Sequence, residues 1–464
     1  MGYASRTYGL PLICWLATIS ACTQIPARDR NQVPEHLPIQ FSVTDVRPSQ
    51  SHPTWEQSFP SQNLQTDIQT LMDENFELEA ARSRVEQAAA AFGIAKATLY
   101  PSVKATVSVD RSRIKEDEED GVDETRSTID FGAALNWELD LWGRLKARKK
   151  AAGLSLEEKR TLADRTALDL QTLLVECWVA HHAARKLERV LREQHQTNRQ
   201  YLNLTGLRLA MGQGSSLDVL QQQERLMTTE RTLPAIVSKR CRSANAYAVL
   251  LGRFPDSCNL ARDAWPVLQR LSDYPSPRQL MVARPDLRAA FLALQAADQE
   301  VAAAVADRLP RLSIGLTAAA SGRSLSHIGD GSLLRVAGGL LAPVFDAGRR
   351  KARVAERKAQ AREALVVLEQ AMRVAVREVE DAAIREGALF DEQRLLQEEI
   401  AIAMETVGKA TLQYVNGQES FLAVLAALAK QQTLQQDEIT VQRELLINRC
   451  RLLKALGAQW SRLS

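Results

Sequence analysis

Chemistry-bearing side chains are scarce in this 464-residue chain. It has six cysteines and six histidines, and it shows no CxxC pair, no glycine-rich phosphate loop and no recognisable serine–histidine–aspartate order. His181 and His182 are adjacent, so on a helix they point in different directions and make a poor metal pair. These absences argue against an enzyme, a resident metal and a cofactor. A net charge of +3 leaves no electrostatic footprint for nucleic acid. No apolar run reaches the roughly 18 residues of a membrane-spanning helix. Aromatics make up only 5% of the chain. Residues 144–209 contain no proline and few glycines. The composition, with 25% charged residues, favours long helices packed through small side chains.

What the chain does have is a long internal repeat. Leu209-Ala-Met-Gly-Gln-Gly-Ser-Ser-Leu217-Asp218-Val-Leu220 matches Tyr414-Val-Asn-Gly-Gln-Glu-Ser-Phe-Leu422-Ala-Val-Leu425, with Gly212 and Gly417 lying 205 residues apart. The same offset carries Trp142-Gly143-Arg144 onto Ala347-Gly348-Arg349. The stretches Leu78–Pro101 and Leu287–Pro310 match at an offset of 209. A unit of this length is too long for a solenoid repeat and implies two similar halves.

The N-terminus reads as a secretory signal. Arg6 precedes an apolar stretch from Leu10 to Ile19, and Ile19-Ser20-Ala21-Cys22 resembles the lipobox of bacterial lipoproteins, in which the cysteine is lipidated. The alternative is a plain signal peptide that happens to contain a cysteine. Thr23 in place of aspartate fits the lipoprotein pattern for export to the outer membrane. Cys177, Cys241, Cys258 and Cys450 remain in the mature chain. An exported protein permits a disulfide, and Cys241–Cys258 is the nearest pair, but buried free thiols are the expectation.

Periodicity then divides the chain. Val103, Ala105, Val107 and Val109 alternate with polar residues, and Ile129, Phe131, Ala133, Leu135 and Trp137 alternate with Thr128, Asp130, Gly132, Ala134 and Asn136. Leu312, Ile314, Leu316 and Ala318 repeat the pattern, and residues 333–342 give a weaker strand. Strands of about ten residues with one apolar face suit a bilayer. Four of them cannot close a barrel, so either the sheet is soluble or several chains share it. Three copies would supply 12 strands, an even number within the bacterial range. The remainder is helix. A helix over 144–209 would be roughly 100 Å long, and Leu365, Leu368, Met372, Val376, Val379 and Ala383 form a packing seam on its counterpart. Helix-like sequence runs from near Leu64 to about Leu99 and is stopped by Pro101. The expected organisation is a signal peptide over 1–21 and a lipidated extended segment over 22–60. A first repeat over 61–276 contains a helix, strands near 102–113 and 127–138, a long helix pair over 140–251 and an equatorial segment over 252–276. A second repeat over 277–464 contains a helix, strands near 311–322 and 333–342, a long helix pair over 345–457 and the C-terminal end.

These residues together resemble the TolC-like outer-membrane efflux factors, and most closely their lipoprotein branch (OprM and NodT type). The resemblance rests on Cys22, on Trp55 before Leu64 and Leu71, and on Asn75-Phe-Glu-Leu78-Glu-Ala-Ala. It rests also on Trp137-Glu-Leu-Asp140-Leu-Trp-Gly-Arg144, on Pro343-Val-Phe-Asp346-Ala-Gly-Arg349 and on Lys454-Ala-Leu-Gly457-Ala-Gln-Trp460. It covers nearly everything after the signal. It implies an α+β membrane protein, a homotrimeric channel with four strands per protomer in a 12-stranded transmembrane barrel and a long helical tunnel in the periplasm. The implied location is the bacterial outer membrane, with Cys22 anchored in lipid. The implied partners are a periplasmic adaptor protein and an inner-membrane pump of the resistance–nodulation–division type. The implied function is a passive exit duct for small toxic compounds. A type I protein-secretion duct is the alternative, and a periplasmic coiled-coil adaptor a remote one.

The resemblance also places the working residues. The two repeated turns become the periplasmic tips, with Met211, Gly212, Gln213 and Asn416, Gly417, Gln418 docking the adaptor. A tyrosine before the second turn bonds an aspartate after the first in such channels, and Tyr414 and Asp218 occupy those positions; otherwise Asp218 is a solvated helix-start acid. Leu422 is expected either in a constricting ring or in the core of its own helix pair. Glu419 replaces a locking arginine, and Ala423 and Ala426 replace the family's acidic gate residues. Without that acidic field the gate should be apolar and only weakly cation-selective. The run Glu116–Asp120 between the first two strands reads as a hydrated external loop.

Overall fold

The computed structural model describes residues 38, 41–42, 47–48, 54–114, 124–261, 263–271 and 273–458. The signal peptide, Cys22 with its expected lipidation, the Glu116–Asp120 run and Trp460 lie outside the described residues. The first repeat runs α1 (Gln62–Glu74), α2 (Phe76–Ala97), β1 (Ser102–Ile114), β2 (Glu124–Leu139), α3 (Arg144–Ala210) and α4 (Ser216–Leu250). The second runs α5 (Pro277–Ala283), α6 (Pro285–Ala306), β3 (Arg311–Gly322), β4 (Gly331–Leu341), α7 (Arg349–Val415) and α8 (Phe421–Ala455). The duplication is carried into the helices residue for residue. α3 and α7 are both 67 residues long, α4 and α8 both 35, and each pair is offset by 205. None of the described helices is long and apolar enough to cross a membrane.

The chain packs as two compact units that cut across the repeats. One takes the described residues of Ser83–Arg160 and Ala289–Glu369; the other takes those of Val33–Arg82, Thr161–Arg288 and Gln370–Ser464.

The first unit contains one antiparallel sheet in the order β1-β2-β3-β4. Its register sorts the side chains cleanly. Val103, Leu135, Leu316 and Val336 form one cross-strand row, and Ala105, Ala133, Ala318 and Leu334 form another on the same face. Lys104, Ala134, Thr317 and Arg335 form a row on the opposite, more polar face. The apolar face is not covered within the protomer, where Val103, Val107, Val109, Leu334 and Val336 are all exposed. The outer edges of β1 and β4 pair with no other strand among the described residues.

Both long helices leave the sheet through an aspartate and a glycine. Asp140 accepts from the backbone N–H of Leu145 and Lys146 at 3.0 and 2.8 Å, and Asp346 accepts from those of Gly348 and Arg350. A carboxylate at this end satisfies orphan N–H groups and complements the helix dipole.

The second unit has a core that the sequence reading did not anticipate. Trp55 and Phe59 are fully buried with Leu64, Leu71, Leu174 and Trp178. The Trp55 indole donates to the Ala458 carbonyl at 2.9 Å. The end of the supposedly loose segment 22–60 is therefore packed, because its two large aromatics fill the space beside α1 and α3. The helix-like stretch from Leu64 to Leu99 is divided at Asn75, whose backbone is extended. Its side chain accepts from the N–H of Glu77 and Leu78 and donates to the Leu250 carbonyl at 2.8 Å. It caps the start of α2 and the end of α4 at once. The free-thiol expectation fails for one pair: Cys241 and Cys258 form a disulfide, their Cα atoms 4.3 Å apart. The chain beyond α4 turns back along it and brings Cys258 alongside. Cys177 and Cys450 are free thiols.

A third repeated glycine pair sits here, Gly252 and Gly457, both with φ +73°. A Cβ on Gly252 would lie 2.6 Å from the Glu74 carbonyl oxygen, and one on Gly457 would lie 2.7 Å from that of Ala283. Each repeat thus closes by pressing a glycine against the end of its own first helix. Gly457→Ala should lower the thermal midpoint, since the left-handed φ alone costs about 1–3 kcal/mol. Gly408→Ala, at a mid-helix site with open space around it, should stabilise by roughly 1 kcal/mol. Equal midpoints for the two variants would contradict the close contact.

Candidate functional site

The two α-helical hairpin turns are the part of the fold with the most distinctive chemistry. Both lie in the second unit. Gly212 has φ +71° and Gly417 φ +73°, a conformation that favours glycine strongly. The hydrogen bonds superpose in kind. Met211, Gly212 and Gln213 donate their N–H to the carbonyls of Leu207, Leu209 and Arg208; Asn416, Gly417 and Gln418 donate to Leu412, Tyr414 and Gln413. Each turn thereby satisfies the last carbonyls of its long helix. Met211, Gly212, Gln213, Asn416, Gly417, Gln418 and Glu419 are all exposed.

The two turns lead into helix starts of different chemistry. Ser215 Oγ accepts from the Leu217 N–H at 3.1 Å, while Asp218 Oδ2 accepts from the Ser215 N–H at 3.2 Å. This capping box pins the start of α4. At the second turn Ala423 replaces the acid, and Ser420 makes no side-chain cap bond. The asymmetry between the halves is thus physical: one α-helix start is capped and the other is not.

Tyr414 is 4% exposed and packs with Ala410, Phe421 and Val424. Its ring lies 5.3 Å from that of Phe421 and under the Arg208 guanidinium, at 4.5 Å. The expected Tyr414–Asp218 bond is absent. Tyr414 Oη has no hydrogen-bond partner among the described residues, because Asp218 is turned back to the Ser215 backbone. The two still sense each other: burial first, then the Asp218 charge, raises the Tyr414 phenol above its ordinary pKa, with Arg208 opposing. An unpaired buried hydroxyl costs about 1–3 kcal/mol. Arg208 holds the second turn as well, donating to the Val415 carbonyl at 3.0 Å.

Leu422 is 59% exposed, whereas its neighbours Phe421 and Val424 are buried. It therefore faces away from the core of its own protomer. Its repeat counterpart Leu217 is equally uncovered, a symmetry that the sequence reading overlooked. Ala426 is exposed and Ala423 half-buried, so neither supplies charge to this surface.

Above the turns lies a buried amide network that the sequence reading missed. Asn198 and Gln222 are fully buried and Gln432 nearly so. Asn198 donates to Thr229, Gln432 donates to Asn198, and Gln222 donates to the Asn198 carbonyl, at 2.7–2.9 Å. Arg225 donates to Gln432 at 2.8 Å. These bonds fix α3, α4 and α8 in register at a level where apolar packing alone would permit sliding. The only signal was the glutamine density of residues 221–223 and 431–436. Among the described residues no cluster of His, Cys, Asp or Glu could hold a metal ion.

Comparison with known proteins bears on this site. A profile described as "Outer membrane efflux protein" matches residues 68–253 and 277–458. The chain is 27% identical over 417 residues to the pyoverdine export outer membrane protein OpmQ of Pseudomonas putida, with 88% of each chain covered. It is 29% identical over 470 residues to the toluene efflux pump outer membrane protein TtgF of the same species, with 96% of each covered. Its fold superposes on the outer-membrane channel OprN with a TM-score of 0.87 at 23% identity, covering 95% of this chain and 100% of that one.

Proposed function

The chain belongs to the outer membrane efflux protein family, and we propose on that basis that it works as a homotrimer with a gated periplasmic tip. It is an outer-membrane exit duct of a tripartite efflux system. The observation that carries the trimer is the sheet: one uncovered apolar face and two unpaired outer edges among the described residues. In lipid every backbone group must be paired, so an open four-stranded sheet is untenable alone. Three copies supply 12 strands from the four of each, and the closed barrel turns its apolar rows to the bilayer and its polar rows to the lumen. Cys22 supplies a lipid anchor to the outer membrane.

The remaining assignments concern the turns. Met211, Gly212, Gln213, Asn416, Gly417 and Gln418 form the surface that docks the periplasmic adaptor. Leu422 from three protomers forms an apolar constriction, with Ala423 and Ala426 beside it and Glu419 at its rim. Asp218 braces the first turn through its capping box, and Tyr414 braces the second through its ring rather than its hydroxyl. Transport through the duct is passive. The free energy comes from an inner-membrane pump, of the resistance–nodulation–division type. Small organic compounds are the cargo class; OpmQ and TtgF are named for the export of pyoverdine and of toluene.

Dye retention tests this reading. Cells lacking the gene should retain a fluorescent cationic dye severalfold longer, and the gene in trans should restore efflux. Unchanged dye efflux together with the loss of a secreted protein would favour the type I secretion reading instead.

A further inference from the structure

A concentration of positive charge on α3 lies outside the turns and the sheet discussed above. His182, Arg185, Lys186, Arg189 and Arg192 succeed one another along α3. The segment after α4 folds back against them. It is held by the Cys241–Cys258 disulfide and by Arg240, which donates to the Cys258 carbonyl at 3.0 Å. Two cavities of about 500 Å³ each result, and Arg185 and Arg189 line both. Arg192 and Arg240 line the first; His182, Lys186 and Trp265 line the second.

The two carboxylates in the linings are already engaged. Glu188 pairs with Arg192 at 2.8 Å and with Arg240 at 2.9 Å. Asp263 accepts from the Trp178 indole at 3.1 Å and from the Asn63 amide at 2.7 Å. Lys186 donates to Gln442 at 2.7 Å and lies over the Trp265 ring. Arg185 and Arg189 make no ion pair among the described residues. His182 is 7% exposed, and its Nε2 has no hydrogen-bond partner among the described residues. A buried polar atom left without a partner in a native fold calls for an explanation. Burial, then the neighbouring His181, pushes the His182 pKa down to about 4, with Asp263 opposing and Arg185 adding. The ring is therefore neutral, and it can place its single proton on Nε2 and donate.

We infer that this groove is a binding site for a multivalent oxyanion. Residues four apart on a helix rise about 6 Å, so Arg185 and Arg189 match a ligand with two phosphate or carboxylate groups at that separation. Guanidinium forks bind either group in two-point fashion. His182 donates to the part of the ligand lying in the second cavity. The site does not depend on the exit-duct reading: ligand binding is measured on the isolated protein and would stand if export failed.

Isothermal titration of the purified full-length assembly with inorganic tripolyphosphate tests the inference. Wild type should bind, and Arg185→Gln/Arg189→Gln should weaken binding about tenfold or more, since two charge-assisted contacts are lost. His182→Phe should weaken it severalfold with the elution volume unchanged. Arg394→Gln, which removes an exposed α7 cation paired with Glu398, should leave binding as it was. A hexaglutamate peptide in place of tripolyphosphate separates the sources. Tighter peptide binding points to an acidic protein segment, and tighter tripolyphosphate binding to a phosphate compound; both require the two arginines. No binding by wild type, binding unaffected by the double arginine variant, or equal loss in Arg394→Gln would overturn the site.

Discussion

Gln213→Arg and Gln418→Arg are each expected to abolish export while leaving the assembly intact. Neither side chain takes part in the fold. Both residues contribute to their turns only through the backbone N–H, which donates to Arg208 and Gln413 respectively, and both side chains are exposed. A substitution that keeps the backbone leaves the turn as it is. What changes is the surface proposed to dock the adaptor. A docking surface of short polar loops is intolerant of an added, unpaired charge, which must be desolvated without a partner and can meet a like charge across the interface. Dye efflux should fall to the level of the gene deletion, while heat-modifiable oligomers on a gel remain. Normal efflux in either variant would remove the docking assignment. Export lost together with the oligomer would mean that the turn itself had been damaged.

Arg449→Ala should destabilise the second unit strongly, by about 3–5 kcal/mol. Arg449 and Glu386 are each only 3% exposed and form a two-point pair at 2.8 and 2.9 Å. The guanidinium also donates to the Gln269 carbonyl at 2.6 Å and lies 3.4 Å from Ser58 Oγ. It thereby joins α7, α8, the segment before α5 and the short helical turn at Trp55–Ser58. Truncating it strands a buried carboxylate and two oxygen acceptors. The magnitude reflects that uncompensated charge rather than the net worth of the pair. Arg385–Glu444 is the natural control: it has the same 2.8 Å separation but is 55% and 35% exposed, so Arg385→Ala should cost about 0–1 kcal/mol. Thermal unfolding followed by circular dichroism compares the two, and similar midpoints would contradict the buried-charge argument.

The sequence carried the large features because they are repeated or periodic. The 205-residue offset fixed the ends of the long helices, which match in length without exception. Alternation in β1, β2 and β3 was legible because one face of the sheet is apolar in the rows running from Val103–Leu135–Leu316 to Val109–Ile129. Features that depend on a single residue were harder to see. Asn75 lies between two runs of helix formers, so nothing in the local pattern shows that it ends one helix and caps the next. The Gly252 and Gly457 pair shares only a preceding leucine, and the need for glycine comes from a carbonyl many positions away. The Cys241–Cys258 disulfide depends on a backtracking segment that has no period. The Tyr414–Asp218 bond failed for an instructive reason. Ser215 and Asp218 stand three apart at a helix start, a local capping pattern legible in the sequence, and that local bond took the carboxylate that the family resemblance had assigned to Tyr414. Trp55 was legible as a family marker, but the burial of Trp55 and Phe59 was masked by the polar, proline-rich sequence ahead of them.

The central claim is a duct closed at its tip by an apolar ring, and single-channel conductance in planar bilayers tests it most directly. Purified wild-type assembly should insert and conduct weakly, with slight cation preference. Leu422→Ser should raise the conductance severalfold, because the proposed ring would exchange three leucines that exclude water for three hydroxyls that admit it. Failure of both proteins to form conducting pores, or equal conductance in the two, would contradict the account.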